Sequence, residues 1–266
     1  MIAWFSSKKK TSNHNVDKND FVSLASHELR SPLSIIKWYT EILLDEDAGP
    51  ITDEQRKYLA VIESSNQRAI DLVRSLLNVS RLDLDTFCIS PVPVLISDVV
   101  RSTIEFLSKD ISRKQLVVSY KEGPGVSMIN ADTHVCSLVV KHVLSNAVIF
   151  SKPGGTISVS TTLVPRHSKA GNDFTTDESI LLTVADTGLG IPEKDTEKIF
   201  SRMFRASNVK DSEGSDSGLG LYITKRIIDI TGGNIWFESV ENVGTTFYVT
   251  FKTKGMKKKE GTTVLE

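Results

Sequence analysis

Cysteine is scarce in this sequence of 266 residues: Cys88 and Cys136 are the only two, and they form no C-x-x-C pair. A disulfide scaffold and a cysteine-ligated metal site are therefore excluded, and both thiols are expected reduced and mostly buried in a cytoplasmic protein. Net charge is nearly absent as well. Lys and Arg number 32 against 33 Asp and Glu, a formal charge of -1, so no overall basic field draws the chain to nucleic acid or a membrane surface. No apolar run approaches the ~20 residues of a membrane-spanning helix. Glycine is missing from one half. Of 16 glycines only Gly49 falls before residue 90, and the rest follow residue 120. A helical first part and a loop-rich second part, two unlike domains, are expected from that asymmetry. With 39% hydrophobic residues, the chain has enough apolar surface for a real core, which excludes wholesale disorder.

In the glycine-poor part, Val22, Leu29, Ile36 and Leu43 recur every seven residues, with Ala25, Leu33 and Tyr39 between them. That spacing predicts a helix over 19–44. Pro32 lies inside it and is expected to bend it near Glu28 by removing a backbone donor. Asp45 to Pro50 reads as a turn, and Thr52-Asp53-Glu54-Gln55 has the form of a capping box that starts a second helix. Ile62, Ser65, Ala69, Leu72, Leu76 and Val79 alternate spacings of three and four along it, an interhelical seam. Two such helices expose too much apolar surface alone, so a homodimeric four-helix bundle is expected. His27 falls on the outer face beside Glu28. An exposed imidazole is largely neutral near pH 7 and can act as a nucleophile, with Glu28 orienting the ring or taking its proton.

Ser90-Pro91-Val92-Pro93 reads as a link between domains. Beyond it, helices are predicted at 97–111, 132–150 and 218–230. Strands are predicted at 116–120, 156–163, 180–185, 234–239 and 245–252, with a long polar loop between 164 and 179. Helices on one face of a mixed sheet make an α+β sandwich. Two glycine clusters sit at element junctions: Asp186-Thr187-Gly188-Leu189-Gly190-Ile191-Pro192 after a strand, and Gly214 to Leu221 at a helix start. The second suits phosphate, since glycine lets the backbone approach and a helix start offers free N–H groups. Neither has the Walker A form.

These segments together resemble the catalytic core of bacterial two-component sensor histidine kinases over about 19–252. Ser26-His27-Glu28-Leu29-Arg30-Ser31-Pro32-Leu33 resembles the phosphoacceptor box. Leu144 to Ala147 resembles the N box, Asp186 to Pro192 the G1 box, Phe200 to Arg205 the F box and Ser217 to Leu221 the G2 box, with Gly244 to Phe247 in the closing strand. The resemblance implies a helical hairpin that dimerises into a four-helix bundle, then an α/β sandwich of the histidine kinase, gyrase and chaperone type. Its expected segments are a flexible 1–18, a dimerisation and phosphoacceptor domain 19–86, a linker 87–95, an ATP-binding domain 96–253 and a disordered tail 254–266. It also implies ATP and Mg²⁺ as ligands. Asp186 would accept from the adenine amino group and Asn146 would hold Mg²⁺. Gly188, Gly190, Phe200, Arg205, Ser217, Gly218, Leu219, Gly220 and Thr245 would complete the nucleotide site, under a lid at about 206–216. His27 would attack the γ-phosphate with Glu28 beside it, Ser31 would take the phosphatase-related position, and a response regulator receiver domain would accept the phosphoryl group. No nucleic acid is expected. A membrane enters only through a possible upstream segment, to which the apolar stretch before Lys8-Lys9-Lys10 would join. The alternative to a solvated terminus stays open there.

The chain departs from the family pattern at four places, three of them in the nucleotide boxes. His142 stands where the N box often has Asn, Ile149 where it often has Lys, and Asp216 where a G2 glycine is common. Lys152 lies near enough in sequence to substitute for the missing Lys. Ser31 replaces the more usual Thr or Asn and keeps a hydroxyl. These departures support an alternative function: a degenerate kinase-like scaffold or nucleotide-sensing module.

Overall fold

A computed structural model describes residues 11–170, 173–174, 177–209 and 217–266, with side chains described at 28–169, 177–209 and 217–266. Residues 1–10, most of the expected lid, Asp216 and the His27 side chain lie outside the described set. The chain divides into two compact units, Met1–Leu84 and Asp85–Glu266.

The first unit is a helical hairpin of α1 (Thr11–Leu44) and α2 (Asp53–Asp83). α1 continues through Pro32. Gly49, at φ +115, turns the chain between the helices, and Thr52 starts α2 with the expected capping box. Its hydroxyl accepts from the Gln55 N–H at 3.2 Å, and its own N–H donates to Gln55 Oε1 at 2.8 Å. Two polar contacts tie the helices together: Asn66 Nδ2 donates to the Leu33 carbonyl at 2.9 Å, and Lys37 Nζ to Gln67 Oε1 at 3.3 Å. Most of the expected seam is not what the hairpin buries. Asn66, Val73, Leu77, Asn78, Val79 and Leu82 are the buried positions of α2, so Val79 of the seam is buried, whereas Ile62, Leu72 and Leu76 stay exposed. These three face away from α1, as do Leu29, Ile36 and Leu43 from α2.

The second unit is a two-layer α/β sandwich. Its five-stranded sheet has the order β2 (Val117–Glu122), β4 (Thr156–Val164), β7 (Ser179–Asp186), β9 (Gly244–Lys252), β8 (Ile235–Val240). Only the β2–β4 pair is parallel. Alternation places Ile157, Val159 and Thr161 of β4 and Thr245, Phe247 and Val249 of β9 on buried positions, the period-two pattern of a half-covered sheet. α5 (Thr133–Phe150) covers β7 and packs between α3 (Ile96–Phe106) and α6 (Gly220–Thr231). It is apolar nearly throughout, with Val139, Val140 and Val143 at 0% exposure, which makes it a core helix. Asp132 starts it as expected: Oδ1 accepts from the His134 and Val135 N–H groups at 2.9 and 3.1 Å. Oδ2 accepts from the Ser90 N–H at 2.8 Å, anchoring the linker. At the other end, Lys114 Nζ donates to the carbonyls of Val148 at 3.0 Å and Ser151 at 3.2 Å, and also to that of Ile149. A cation there suits the negative end of the helix dipole.

Several expectations are corrected. The helix expected over 97–111 is two helices, α3 and α4 (Ser108–Arg113), broken at Leu107. The segments Val92–Val94 (β1) and Ile129–Ala131 (β3) form an antiparallel pair that the sequence pattern did not announce. The long loop contains a short pair, β5 (Lys169–Ala170) and β6 (Asp173–Phe174). The tail expected to be disordered is bound in place. The Cys88 and Ile89 N–H groups donate to the carbonyls of Thr263 and Lys259 at 2.8 and 3.0 Å, and the Lys259 N–H returns a bond to Ile89. Lys259 Nζ stands 4.4 Å over the Phe87 ring and donates to the Asp85 and Phe87 carbonyls at 2.7 Å. Leu265 is 3% exposed. Basic composition suggested a solvated tail, but a long aliphatic stem can cover an aromatic face while its ammonium finds carbonyls.

Candidate functional site

An open cleft lies beside α5, a concave surface of the kind that small-molecule sites use. Its walls come from five stretches. α5 contributes Asn146 and Phe150, which share a face because they stand four residues apart. The end of β7 and the loop after it contribute Asp186, Gly190 and Ile191. The segment from Ile199 to Val209 contributes Phe204, Arg205, Ala206 and Asn208. Gly218, Leu221, Thr245 and Phe247 close the other side.

Asp186 is fixed by two backbone donors on a single oxygen. Its Oδ1 accepts from the Gly188 N–H at 2.8 Å and the Thr245 N–H at 3.3 Å, while Oδ2 has no partner among the described residues. Burial pushes its carboxyl above the usual value, against the opposing pull of those two N–H groups. Asn146 is only 8% exposed, and its side-chain amide likewise bonds to no described residue. The accessible part of that amide lies on the cavity wall, where a polar ligand can bond to it. Thr245 Oγ1 is 2.8 Å from the Ser239 hydroxyl, which in turn accepts from the Ile191 N–H at 2.8 Å. This chain couples the closing strand to the glycine loop.

Two glycines are required by geometry. At Gly190 (φ +62) a Cβ would sit 2.1 Å from the Val240 carbonyl oxygen, and at Gly218 (φ +68) it would sit 2.7 Å from that of Phe204. Side chains there would push the loops off the cavity wall. The segment before the expected lid is pinned too: the buried Asp195 Oδ2 accepts from the Ser207 N–H at 2.6 Å, and Asn208 Nδ2 donates to the Gly190 carbonyl at 3.0 Å.

The cavity thus brings together Asn146, Asp186, Gly190, Arg205, Gly218 and Thr245 of the expected set. Gly188 supports it through its N–H. Phe200 does not line it, since its ring meets Phe237 edge-on at 5.8 Å. Leu219 is fully buried at the start of α6, and Ser217 accepts from the Leu219 N–H at 3.3 Å. Gly220 opens α6 against the His142 ring. Lys152 donates to the Asn242 carbonyl at 3.3 Å and Ile149 lines nothing. Arg205 is therefore the one cationic side chain on the wall among the described residues. His142 is half-buried. Burial, then the charge of Lys141, pulls its pKa down to about 4. Phe150 was legible one turn past Asn146. Ile199, Asn208 and Val209 carry no sequence signal, because a loop closing over the cavity brings them there. In the hairpin, Glu28 and Ser31 are exposed on α1.

The donor set fits a nucleotide with a divalent cation: an unpaired carboxylate oxygen for an amine, an unpaired buried amide oxygen for a cation, and a glycine-led helix start for phosphate.

Comparison with known proteins agrees. The family model described as the histidine kinase-, DNA gyrase B- and HSP90-like ATPase matches residues 131–255, and that of the His Kinase A (phospho-acceptor) domain matches 17–85. Sensor histidine kinase WalK of Bacillus subtilis is 30% identical over 240 residues, covering 90% of this chain and 37% of WalK. The circadian input-output histidine kinase CikA of Synechococcus elongatus is 28% identical over 237 residues, covering 88% of this chain and 30% of CikA. The chain thus spans about a third of the length of these two relatives. Among solved structures, full-length ShkA has a TM-score of 0.68 at 22% identity, covering 91% of this chain and 47% of ShkA. Histidine kinase AdeS of Acinetobacter baumannii has 0.57 at 18%, covering 85% and 98%. A helical phosphoacceptor region followed by an α/β ATPase-type domain is what these share with it, and the chain carries the two domains that make up the catalytic core of a sensor histidine kinase.

Proposed function

We propose that the chain is an ATP-dependent protein-histidine kinase that phosphorylates His27 and hands the phosphoryl group to an aspartate on a response regulator's receiver domain. The observation that carries this is the pair of unpartnered groups on one cavity wall, Asp186 Oδ2 and the Asn146 amide. Adenine supplies the amine that Asp186 Oδ2 lacks. Asn146 holds the phosphate-bound Mg²⁺, which offsets the charge of the triphosphate. Arg205 adds the one cation of the wall among the described residues, and the glycine-led start of α6 offers N–H groups to phosphate. The solved ShkA structure is a complex with AMPPNP, a ligand of the kind this wall suits.

In the transfer, a ring nitrogen of His27 attacks the γ-phosphorus, the bond to the β,γ-bridging oxygen breaks, and ADP leaves. Glu28 takes the proton from the imidazole. Phosphoryl transfer requires mainly positioning and charge neutralisation, so a wall of hydrogen bonds and loops is enough machinery. The outward apolar face of the hairpin supports a homodimeric four-helix bundle. The exposed surface around His27 receives the regulator, and Ser31 serves the reverse phosphatase step with its hydroxyl. The two cysteines, unpaired, suit a cytoplasmic setting.

A scaffold or nucleotide-sensing module is the second reading. The commitment of Lys152 to Asn242 favours it, because no lysine lines the wall among the described residues. Incubation with Mg-ATP labelled at the γ-phosphate separates the two. The kinase gives an acid-labile, base-stable phosphoprotein that His27→Ala abolishes. Nucleotide binding with no transfer at any time point refutes the kinase and leaves the scaffold.

A further inference from the structure

We propose, building on the kinase reading above, that segment 255–265 is a strap and Lys259 a positioning residue for phosphoryl transfer. Together they bind the start of the second unit to the sandwich and shorten the free link that leads from the His27 hairpin to the cavity.

Residues 85–89 are held one after another. Lys259 Nζ donates to the Asp85 and Phe87 carbonyls, each at 2.7 Å, and pairs with Asp85 Oδ1 at 3.3 Å. An ammonium has three protons, and here three acceptors take them. Between these, the Thr86 carbonyl accepts from the Thr262 N–H at 2.9 Å. The Cys88 N–H donates to Thr263, and Ile89 exchanges both backbone bonds with Lys259. Ser90 is already tied to Asp132. The strap is itself fastened on both sides: the Met256 N–H donates to the Asn130 carbonyl at 2.7 Å, and Leu265 is buried. Gly261 permits the close approach, since a Cβ there would stand 2.4 Å from the Phe87 backbone.

Leu84, just before this run, is the C-cap of α2, and its N–H donates to the Ser80 carbonyl at 3.0 Å. No untied residue therefore separates the end of α2 from the strapped run. Asp85 turns the chain at φ +59, a left-handed conformation uncommon outside glycine. Lys259 fixes it there from both its carbonyl and its carboxylate.

The consequence falls on transfer and not on binding. Nucleotide is held in one unit and His27 lies in the other, so the rate follows the effective concentration of one at the other. That concentration falls roughly as the -3/2 power of tether length. With the strap closed, the link is the junction of Leu84 and Asp85. With it open, residues 85–89 join the tether, and the effective concentration drops roughly fivefold.

The experiment measures the rate of His27 phosphorylation at saturating Mg-ATP, and the affinity for a non-hydrolysable ATP analogue by calorimetry. Three full chains are compared: the wild type, Lys259→Met with Gly261→Val, and a wild-type chain with a flexible glycine-serine insert after Leu84 as long as the strapped run. The double variant opens the strap, and faster hydrogen exchange at the Cys88 and Ile89 amides reports the opening. The insert lengthens the link and leaves every strap contact in place, so it decides the matter even where the double variant folds poorly. We expect both changes to lower the phosphorylation rate about fivefold, with the analogue bound as tightly as by the wild type. A rate unchanged or raised by the insert overturns the proposal and leaves the kinase reading standing. So does a double variant whose residues 88 and 89 exchange no faster, since the strap then does not hold the link. A wild type that binds the analogue and never phosphorylates His27 overturns the kinase reading, and this proposal with it.

Discussion

In the helical hairpin, Leu29, Ile36, Leu43, Ile62, Leu72 and Leu76 are between 37% and 50% exposed, while in the sandwich Ile180, Leu182, Val184 and Val249 are at 0%. Both sets are aliphatic, and both stand at the regular spacing of their element. The sheet strands meet α5 within their own unit, and the hairpin offers its stripe to nothing in the described chain. One unit carries its core with it, and the other's core, in the homodimer proposed above, is completed by association. Stability in the hairpin is then a function of protein concentration, whereas stability in the sandwich is not.

The largest effect that tests this contrast comes from charging the stripe. Fully burying a leucine is worth about 1.5–3 kcal/mol, and Leu72 and Leu76 are each 39% exposed in the single hairpin, so with two copies of each per dimer Leu72→Asp with Leu76→Asp forfeits roughly 2–5 kcal/mol of association, before the charges are counted. Sedimentation should show a dimer becoming a monomer, with helical signal lost at low concentration and nucleotide affinity of the sandwich unchanged. A variant that remains dimeric breaks the contrast. The mirror-image change is Leu182→Ala in the centre of β7, at 0% exposure. It should lower the sandwich's unfolding free energy by about 2–5 kcal/mol through a cavity, with the sedimentation of the dimer unaffected.

Sequence legibility follows the same divide. The hairpin was readable because its signals are local: the Thr52 capping box is there in both bonds, and Gly49 sits in the turn. The direction in which the seam points was less so, because three- and four-residue spacing marks a face without saying what covers it. In the sandwich, Asn146 and Asp186 were legible from boxes in order. Phe200 and Leu219 belong to such boxes too, yet Phe200 packs on Phe237 and Leu219 is buried in the core, since a motif preserves packing as well as contacts. The bound tail was illegible. Its backbone pairing with residues 86–89 joins segments at opposite ends of the unit, and no local pattern encodes a long-range pairing of irregular chain.

That tail gives the next effect in size. Deleting residues 256–266 removes the burial of Leu265 and several backbone bonds to the linker. The loss should be about 2 kcal/mol, taking one buried leucine less the freedom regained by the chain. Hydrogen exchange is the sharper measure. The amides of Cys88 and Ile89 donate to Thr263 and Lys259, so both should exchange faster, while the His134 and Val135 amides capped by Asp132 keep their protection. Unchanged exchange at residues 88 and 89 would show that the tail adds nothing to the unit's self-sufficiency.

The smallest effect concerns the cost of the site itself. Burial raises the Asp186 carboxyl's pKa in the fold, with the Gly188 and Thr245 N–H groups only partly opposing. The folded state then holds this proton more tightly than the unfolded chain does. Stability from the protonated form is complete below the unfolded value of about 3.9 and is lost as pH rises through the higher folded value. At neutral pH the sandwich therefore carries a charged carboxylate at a net cost. Asp186→Asn keeps an oxygen for both N–H groups and removes the charge, so the melting temperature at pH 7 should rise slightly and the pH dependence in that window should flatten. Nucleotide binding should fall sharply, because the amide turns an N–H toward the adenine amino group where a lone pair is needed. A variant that loses both stability and nucleotide would mean that Asp186 serves the fold first, and that the cavity's unpaired oxygen is incidental.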